Sequence, residues 1–422
     1  MILSEIVDYF GQHQDQRKIP NLTKEEWNAL ISKYEKDDIR DSLASFIIKV
    51  GTEFPLKIIS KQDMCELFYE FYNTSMETLY KDFDVVSERY DYKYKDTPLG
   101  VIDRSHYYND ISDYFQQINR MKCGSIYEES PMEIWSNEDK LAKMNWHFWR
   151  AGVMEDSGID DAVFREAFRI GAYTATQFKP SVAKALYERH RAENILDTSC
   201  GWGDRLAGFY GTPKTKLYVG CDPNPDVFEV YKKQCVEYEK IIGDTPQLIE
   251  QENYFECHGK KTVKIWRKPS EDVNWSLYTD TFDLYFTSPP YFETERYASD
   301  TDAVSDQSWS RYNSFDRWKY DFFFKVTEMV WTTIRQNGFM MINIIEPKAK
   351  SGGRLNLCDD MVDHFAALPE SNYIGKIGMR MVARPDAEKL EKVFIEPVWV
   401  FRKSSSDYEF NKKSTLEAFL TV

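Results

Sequence analysis

Residues 194–211, NILDTSCGWGDRLAGFYG, hold a short apolar run, a turn with two glycines and a helical segment. An apolar run this short, bounded by turn residues, reads as a strand buried on both faces. Gly201 and Gly203 strip the turn of side chains, so its backbone can approach a ligand closely. In an open α/β sheet the ligand lies beyond the carboxyl ends of the strands. The stretch therefore opens a doubly wound sheet and carries its first binding turn.

The same alternation continues on both sides. Upstream, a helix is expected from Asp160 to about Ile170. A second follows as PSVAKALYERHRA, with Pro180 in the tolerated first turn. Downstream, KLYVGCDPNP is a second strand that ends in an acid, followed by the helix PDVFEVYKKQCVEYEKII. KTVKIWRKPSED gives a third strand, and FDLYFTSPPYF a fourth that runs into a stiff turn. WKYDFFFKVTEMVWTTIRQNG repeats apolar residues at Phe323, Val326, Val330 and Ile334, and Gly338 is its expected stop. FMMINII is a fifth strand; IGKIGMRMV and VFIEPVWVFRK are a final antiparallel pair. The expected class is α/β, a doubly wound Rossmann-like sheet over 156–403 with a final antiparallel strand. Residues 1–155 form a mainly helical, aromatic-rich domain for recognition or oligomer contact, and 404–422 a polar tail.

In the first 155 residues, Leu67, Phe68, Phe71 and Met76 fall near helical spacing. Trp135, Trp146, Phe148 and Trp149 cluster further on. Such aromatics serve either as base-stacking platforms or as core, and core is the commoner use.

Composition narrows the class. A 42% apolar, 15% aromatic chain of 422 residues can bury a real core. No apolar run is long enough to span a bilayer, and the N-terminus lacks a basic segment followed by an apolar one, so no signal peptide is expected. Seven cysteines without C-x-x-C pairs and six scattered histidines fit reduced thiols in a cytoplasmic protein without a metal. A net charge of −15 argues against a protein that coats nucleic acid nonspecifically, while leaving room for local basic patches.

Two constellations carry chemistry. In the first, Asp197 is set to accept a cationic amino group beside Cys200, Gly201 and Gly203. One strand–helix–strand step later, Asp222 is set to accept both hydroxyls of a ribose. Glu271 and Asp272, after the third strand, are set to receive an adenine amino group. Leu206 breaks the G-x-G-x-x-G pattern, which argues against NAD or FAD, and no G-K-[ST] follows for a P-loop.

The second is Thr287-Ser288-Pro289-Pro290-Tyr291. Two prolines fix φ and remove two donors, leaving a stiff loop with acceptors at a strand end. An exocyclic amino nitrogen of a nucleobase is a poor nucleophile, since its lone pair is delocalised into the ring. Acceptors such as the Ser288 hydroxyl and the Pro289 carbonyl, aimed at its hydrogens, favour a pyramidal nitrogen that can attack a methyl sulfonium. Tyr291 and Phe292 are candidates to stack on the base, which duplex DNA must first extrude.

These residues resemble the amino-methyltransferase family of DNA-modifying enzymes. DTSCGWG is similar to the family's D-P-F-x-G-x-G loop, with Thr198-Ser199 in place of Pro-Phe. TSPPY is similar to its [DNS]-P-P-[YF] tetrad. GAYTATQFKPSVAKALYE resembles the flanking motif, which implies that Phe178, Lys179 and Pro180 border the methionine end of the cofactor. The order matches the unpermuted arrangements, and the resemblance covers roughly residues 165 to 403. It implies S-adenosylmethionine as cofactor, no metal, and a nucleic-acid partner, DNA with a flipped base. Serine in the first tetrad position is similar to cytosine-N4 enzymes, whereas Asp or Asn is more typical of adenine-N6 enzymes. Restriction–modification and viral genome marking are the settings it suggests.

Arg296, Arg311 and Arg317 are candidate phosphate contacts in the stretch 293–318, and Lys348, Lys350 and Arg354 around Gly352-Gly353 form a second such loop. Competing readings are the same chemistry on RNA or on a modified base, an inactive nucleic-acid-binding relative, and a small-molecule methyltransferase.

Overall fold

The computed structural model describes residues 2–81, 86–95, 98–103, 105–150, 158–297, 304–347, 353, 355–381 and 393–404. The chain divides into two compact units. One gathers Met1–Ile59, Gln117–Thr176 and Glu295–Ser299; the other Ser60–Gln116, Gln177–Thr294 and Asp300–Val422. The contacts thus cut across the expected break at 155/156. The reason is packing within the second unit. The helix Lys61–Asn73 stacks Phe68 on Tyr238 at 4.4 Å between ring centroids. It also lays Phe71 against Gly211, where a Cβ would lie 2.2 Å from the ring.

The first unit is helical. Helices Ile2–Gln12, Lys24–Lys33, Lys36–Val50 and Asp161–Gly171 close on Phe10, Trp27, Leu43, Phe46 and Phe164. Trp135 and Phe148 are buried in this cluster, with the Trp135 indole donating to the Thr52 carbonyl at 2.9 Å. They are core, whereas Trp146 is exposed.

The second unit holds the sheet. Its main strands are β1 (Asn194–Asp197), β2 (Leu217–Cys221), β3 (Gln247–Gln251), β4 (Tyr254–His258), β5 (Thr262–Trp266), β6 (Phe282–Thr287), β7 (Ile334–Asn343), β8 (Ser371–Arg380) and β9 (Val393–Lys403). They lie in the order β3-β4-β5-β2-β1-β6-β7-β9-β8. From β5 to β7 all pairs are parallel. β9 adds antiparallel to β7, and β8 antiparallel to β9. This is a doubly wound Rossmann-like sheet. Its order reverses between β1 and β6, the switch point where ligands bind in such sheets. The hairpin β3–β4, unforeseen in the sequence, extends the β5 edge. Short strands Gly100–Ile102, Tyr80–Lys81 and Val86–Glu88 also join the sheet.

All six residues of β6 are buried, as expected for a strand covered on both faces. Leu196, Val219, Tyr285 and Ile342 share one core with Phe323, Val330 and Phe365 from the flanking helices.

The helix after the Ser288–Tyr291 turn departs from expectation twice. Residues Trp318–Phe324 wind as a π-helix between the short Phe315–Arg317 turn and Lys325–Trp331. Gly338 does not stop it. The helix ends at Trp331, Thr333 bonds back to the Val330 carbonyl at 2.6 Å, and Ile334 already belongs to β7. Glycine is needed at 338 because a Cβ there would lie 2.7 Å from Ile334 Cγ2 and 3.0 Å from the Asp283 carbonyl.

Among the described residues no helix is long and apolar enough to cross a membrane, and no cluster of His, Cys, Asp and Glu is set to hold a metal.

Candidate active site

The parallel register brings the two motifs together. Leu284 and Tyr285 of β6 pair with Ile195 and Leu196 of β1. The ends of both strands therefore lie side by side, and Thr287 Oγ1 donates to Asp197 Oδ1 at 3.0 Å. Ser288 to Tyr291 begin one residue beyond that bond.

Asp197 is fully buried, and its oxygens are engaged. Arg205 Nε donates at 2.7 Å and Nη2 at 3.3 Å, the Tyr218 hydroxyl at 2.7 Å and the Ser199 amide at 3.1 Å. The amino-group acceptor expected at Asp197 is thus taken by an internal cation. Arg205 stands in the first turn of the helix Asp204–Gly211, which points it back at the strand end. Its guanidinium lies 5.6 Å from the centroid of the Phe178 ring. Lys179 caps the helix Pro180–Arg189, with buried Pro180 at its first position.

Gly201 and Gly203 are left-handed, at φ 59° and 73°. A Cβ on Gly203 would lie 2.4 Å from Gln234 Oε1, whereas a Cβ on Gly201 would meet only Ser199 O and Arg205 Nη2 within 4 Å. Both conformations disfavour any L side chain. Cys200 is buried, its thiol facing the Asp197 carbonyl and Tyr218, and its backbone is engaged with Cys221 and Gly203, so it braces the turn from within.

Asp222 follows β2, half-buried. It accepts the Gly201 amide and the Asn224 amide, both at 3.0 Å. Tyr231, on the helix Pro225–Ile241, bonds both the Gly201 carbonyl and Asp222. Burial raises the Asp222 carboxyl to about 6, against the pull of the two amides.

Beyond β5, Glu271 accepts the Tyr312 hydroxyl at 3.0 Å and Arg311 at 3.1 Å on Oε1. Its buried Oε2 has no partner, and burial raises the carboxyl above its ordinary range. Arg311 also pairs with Asp272 at 2.8 Å. This arginine, expected to meet phosphate, is instead spent on the two acids.

In the turn after β6 the Ser288 hydroxyl makes no hydrogen bond among the described residues. Pro289 is buried, and Pro290 accepts the Phe292 amide at 3.0 Å. Phe292 sits at φ 52°, buried against Phe315 and Trp318, each 5.8 Å away by centroid. Its ring is an anchor for the turn and is not open for stacking on a base. Tyr291 is half-buried, and its hydroxyl donates to Glu396 at 3.1 Å. Arg317 is exposed and paired with Asp321. Arg296 belongs to the helical unit, in a two-residue strand paired with Gly124–Ser125. Lys348, Lys350, Gly352 and Arg354 lie outside the described residues.

Sequence reading missed Arg205, Tyr231, Asn343 and Glu396. Only Arg205 left a trace, as a cation one helical turn past the glycines.

No family model matches the sequence, and no curated protein matches it. Among solved structures, the chain is similar to the complex of Trm1 from Pyrococcus horikoshii with S-adenosyl-L-methionine. Identity is 12%, over 56% of this chain and 58% of that one, with a TM-score of 0.32. It is similar to 1,6-didemethyltoxoflavin-N1-methyltransferase of Burkholderia thailandensis with bound 1,6-didemethyltoxoflavin and S-adenosylhomocysteine. There identity is 13%, over 54% and 78% of the two chains, with a TM-score of 0.31. It is also similar to the [4+2]-cyclase SpnF, at 10% identity over 54% and 81%, with a TM-score of 0.33. Likeness at this level leaves the chemistry to be read from the site.

Proposed function

We propose that this chain is an S-adenosylmethionine-dependent methyltransferase acting on the exocyclic amino group of a base in DNA, with cytosine N4 preferred over adenine N6. The observation that carries the reading is the 3.0 Å bond from Thr287 to Asp197, which joins the stiff Ser-Pro-Pro-Tyr turn to the glycine turn at the sheet's switch point.

The residues fit the cofactor. Glu271 Oε2 is a buried acceptor without a partner, suited to an adenine amino group. Asp222 keeps acceptor capacity beyond its two amides and the Tyr231 hydroxyl, suited to ribose hydroxyls. At Gly201 the absence of a side chain lets a ligand pass close to the turn. Phe178 over Arg205 suits the border of the amino-acid end. When bound, the cofactor supplies an electrophilic methyl group on a sulfonium.

The chain's own part is positioning and polarity. The unpartnered Ser288 hydroxyl and the Pro289 carbonyl accept from the two hydrogens of the amino group and favour its pyramidal form. Tyr291 stacks on the base. No strong base is needed before attack, because the proton becomes acidic once the nitrogen is alkylated. Phe292, Arg311 and Arg296 drop out of the substrate contacts proposed from sequence. Arg317 stays as a phosphate contact for a flipped-out strand.

Incubation with methyl-labelled S-adenosylmethionine and pools of DNA and RNA, followed by nucleoside mass spectrometry, tests this reading. Label on N4-methylcytosine in DNA supports it. Label in RNA alone changes the acceptor, and label in no nucleoside refutes it.

A further inference from the structure

We infer that Glu396 is a positioning residue that fixes the Tyr291 ring within the catalytic turn, an inference that rests on the amino-methyltransferase reading above. Tyr291 follows two prolines, and Phe292 after it is locked in aromatic packing, so the backbone is held on both sides. The Tyr291 ring packs at the edge of the core, and the bond of its hydroxyl fixes the angle at which it does so. Its hydroxyl donates to Glu396 Oε1 at 3.1 Å. Asn343 Nδ2 donates to that same oxygen at 3.0 Å and to the Pro397 carbonyl at 3.2 Å.

The chain of bonds runs through rigid elements. Asn343 ends β7 and is buried, and its partner Glu396 stands on the neighbouring β9. Tyr291 lies just beyond β6, on the other side of β7. A stacking platform needs only a π face, which phenylalanine would supply. A hydroxyl tied into the sheet adds something else, a fixed ring angle. Oε1 accepts whether or not Glu396 is ionised, so the tether does not depend on its protonation. Groups held by such supporting bonds set geometry at a distance, and small misplacements cost rate.

The test labels the full chain with 3-fluorotyrosine at position 291 and reads its fluorine resonance. Glu396→Leu should broaden or split the line. Glu396→Gln, which keeps a carbonyl acceptor, should leave it as in the parent. In kinetics, Glu396→Leu should lower kcat about fivefold, the effect of one lost hydrogen bond, with KM for S-adenosylmethionine within about twofold. Tyr291→Phe should show a similar loss, and the combined variant no further loss, since both remove one interaction. An unchanged fluorine line in Glu396→Leu, or losses that multiply in the double variant, would overturn the inference. If the parent methylates no base but the line responds to Glu396→Leu, the functional reading fails and the positioning role stands.

Discussion

Asp222 links the cofactor reading to a pH-dependent affinity. Its carboxyl is raised from an ordinary value near 3.8 to about 6 by burial. An ionised carboxylate has capacity to accept both ribose hydroxyls; a protonated one surrenders part of it. Affinity for S-adenosylhomocysteine should therefore rise between pH 5 and pH 8. With a midpoint near 6, about one site in eleven is ionised at pH 5, so the largest loss is about tenfold, or about 1.4 kcal/mol. Asp222 is only half-buried, and water screens part of the interaction, so roughly threefold is the lower end of the expectation.

Calorimetric titration at pH 5, 6, 7 and 8 reads this directly. Asp222→Asn should bind more weakly and lose the pH step. A flat profile in the parent, or the same step in Asp222→Asn, would refute the ribose assignment. Stability carries the opposite sign. A carboxyl raised on folding contributes stability in full below its unfolded value near 3.8, and that stability is lost as pH rises through about 6. The free protein should therefore lose stability over the pH range in which the ligand gains affinity.

Replacing Tyr291 with alanine should cut turnover roughly 10- to 100-fold, the worth of one stacked base, while calorimetry shows cofactor affinity intact; parental turnover would remove the stacking role. Arg205→Leu strips one half of a buried ion pair from Asp197 and should cost about 3–5 kcal/mol in urea unfolding. A loss under about 1 kcal/mol would mean that the pair is not buried as described. Gly203→Ala sets a Cβ against Gln234 at positive φ and should cost about 1–3 kcal/mol, read as a lower Tm; an unchanged Tm would show that the turn relaxes freely.

Much of the sheet was legible because parallel strands buried on both faces leave compact apolar runs, as in FDLYFT, and helices between them begin at prolines such as Pro180 and Pro225. The hairpin β3–β4 was not, because QLIEQ and YFECH are polar enough to pass as loop. Segment 60–116 was assigned to the wrong neighbour for a related reason. Helical periodicity reports that a face is buried, not against what; Phe68 and Phe71 pack on Tyr238 and Gly211, far along the chain. The site was legible as motifs. Its internal partners were not, because Arg205 on Asp197, Arg311 on Glu271 and Glu396 on Tyr291 arise only once strands are in register.

The pairing of Asp197 with Arg205 changes how a cationic ligand would be held. A carboxylate that already accepts from Arg205, Tyr218, Thr287 and Ser199 has little left to offer. Its charge is matched by the guanidinium, so β1 presents a neutral knot at the switch point. The acids with acceptor capacity to spare lie to one side, Asp222 after β2 and Glu271 after β5. On the other side stand the Ser288 hydroxyl and the proline carbonyls after β6. Asp197 therefore joins the two halves of the site, and on the proposed function the adenosine and the acceptor amine would be met by different strands on either side of it.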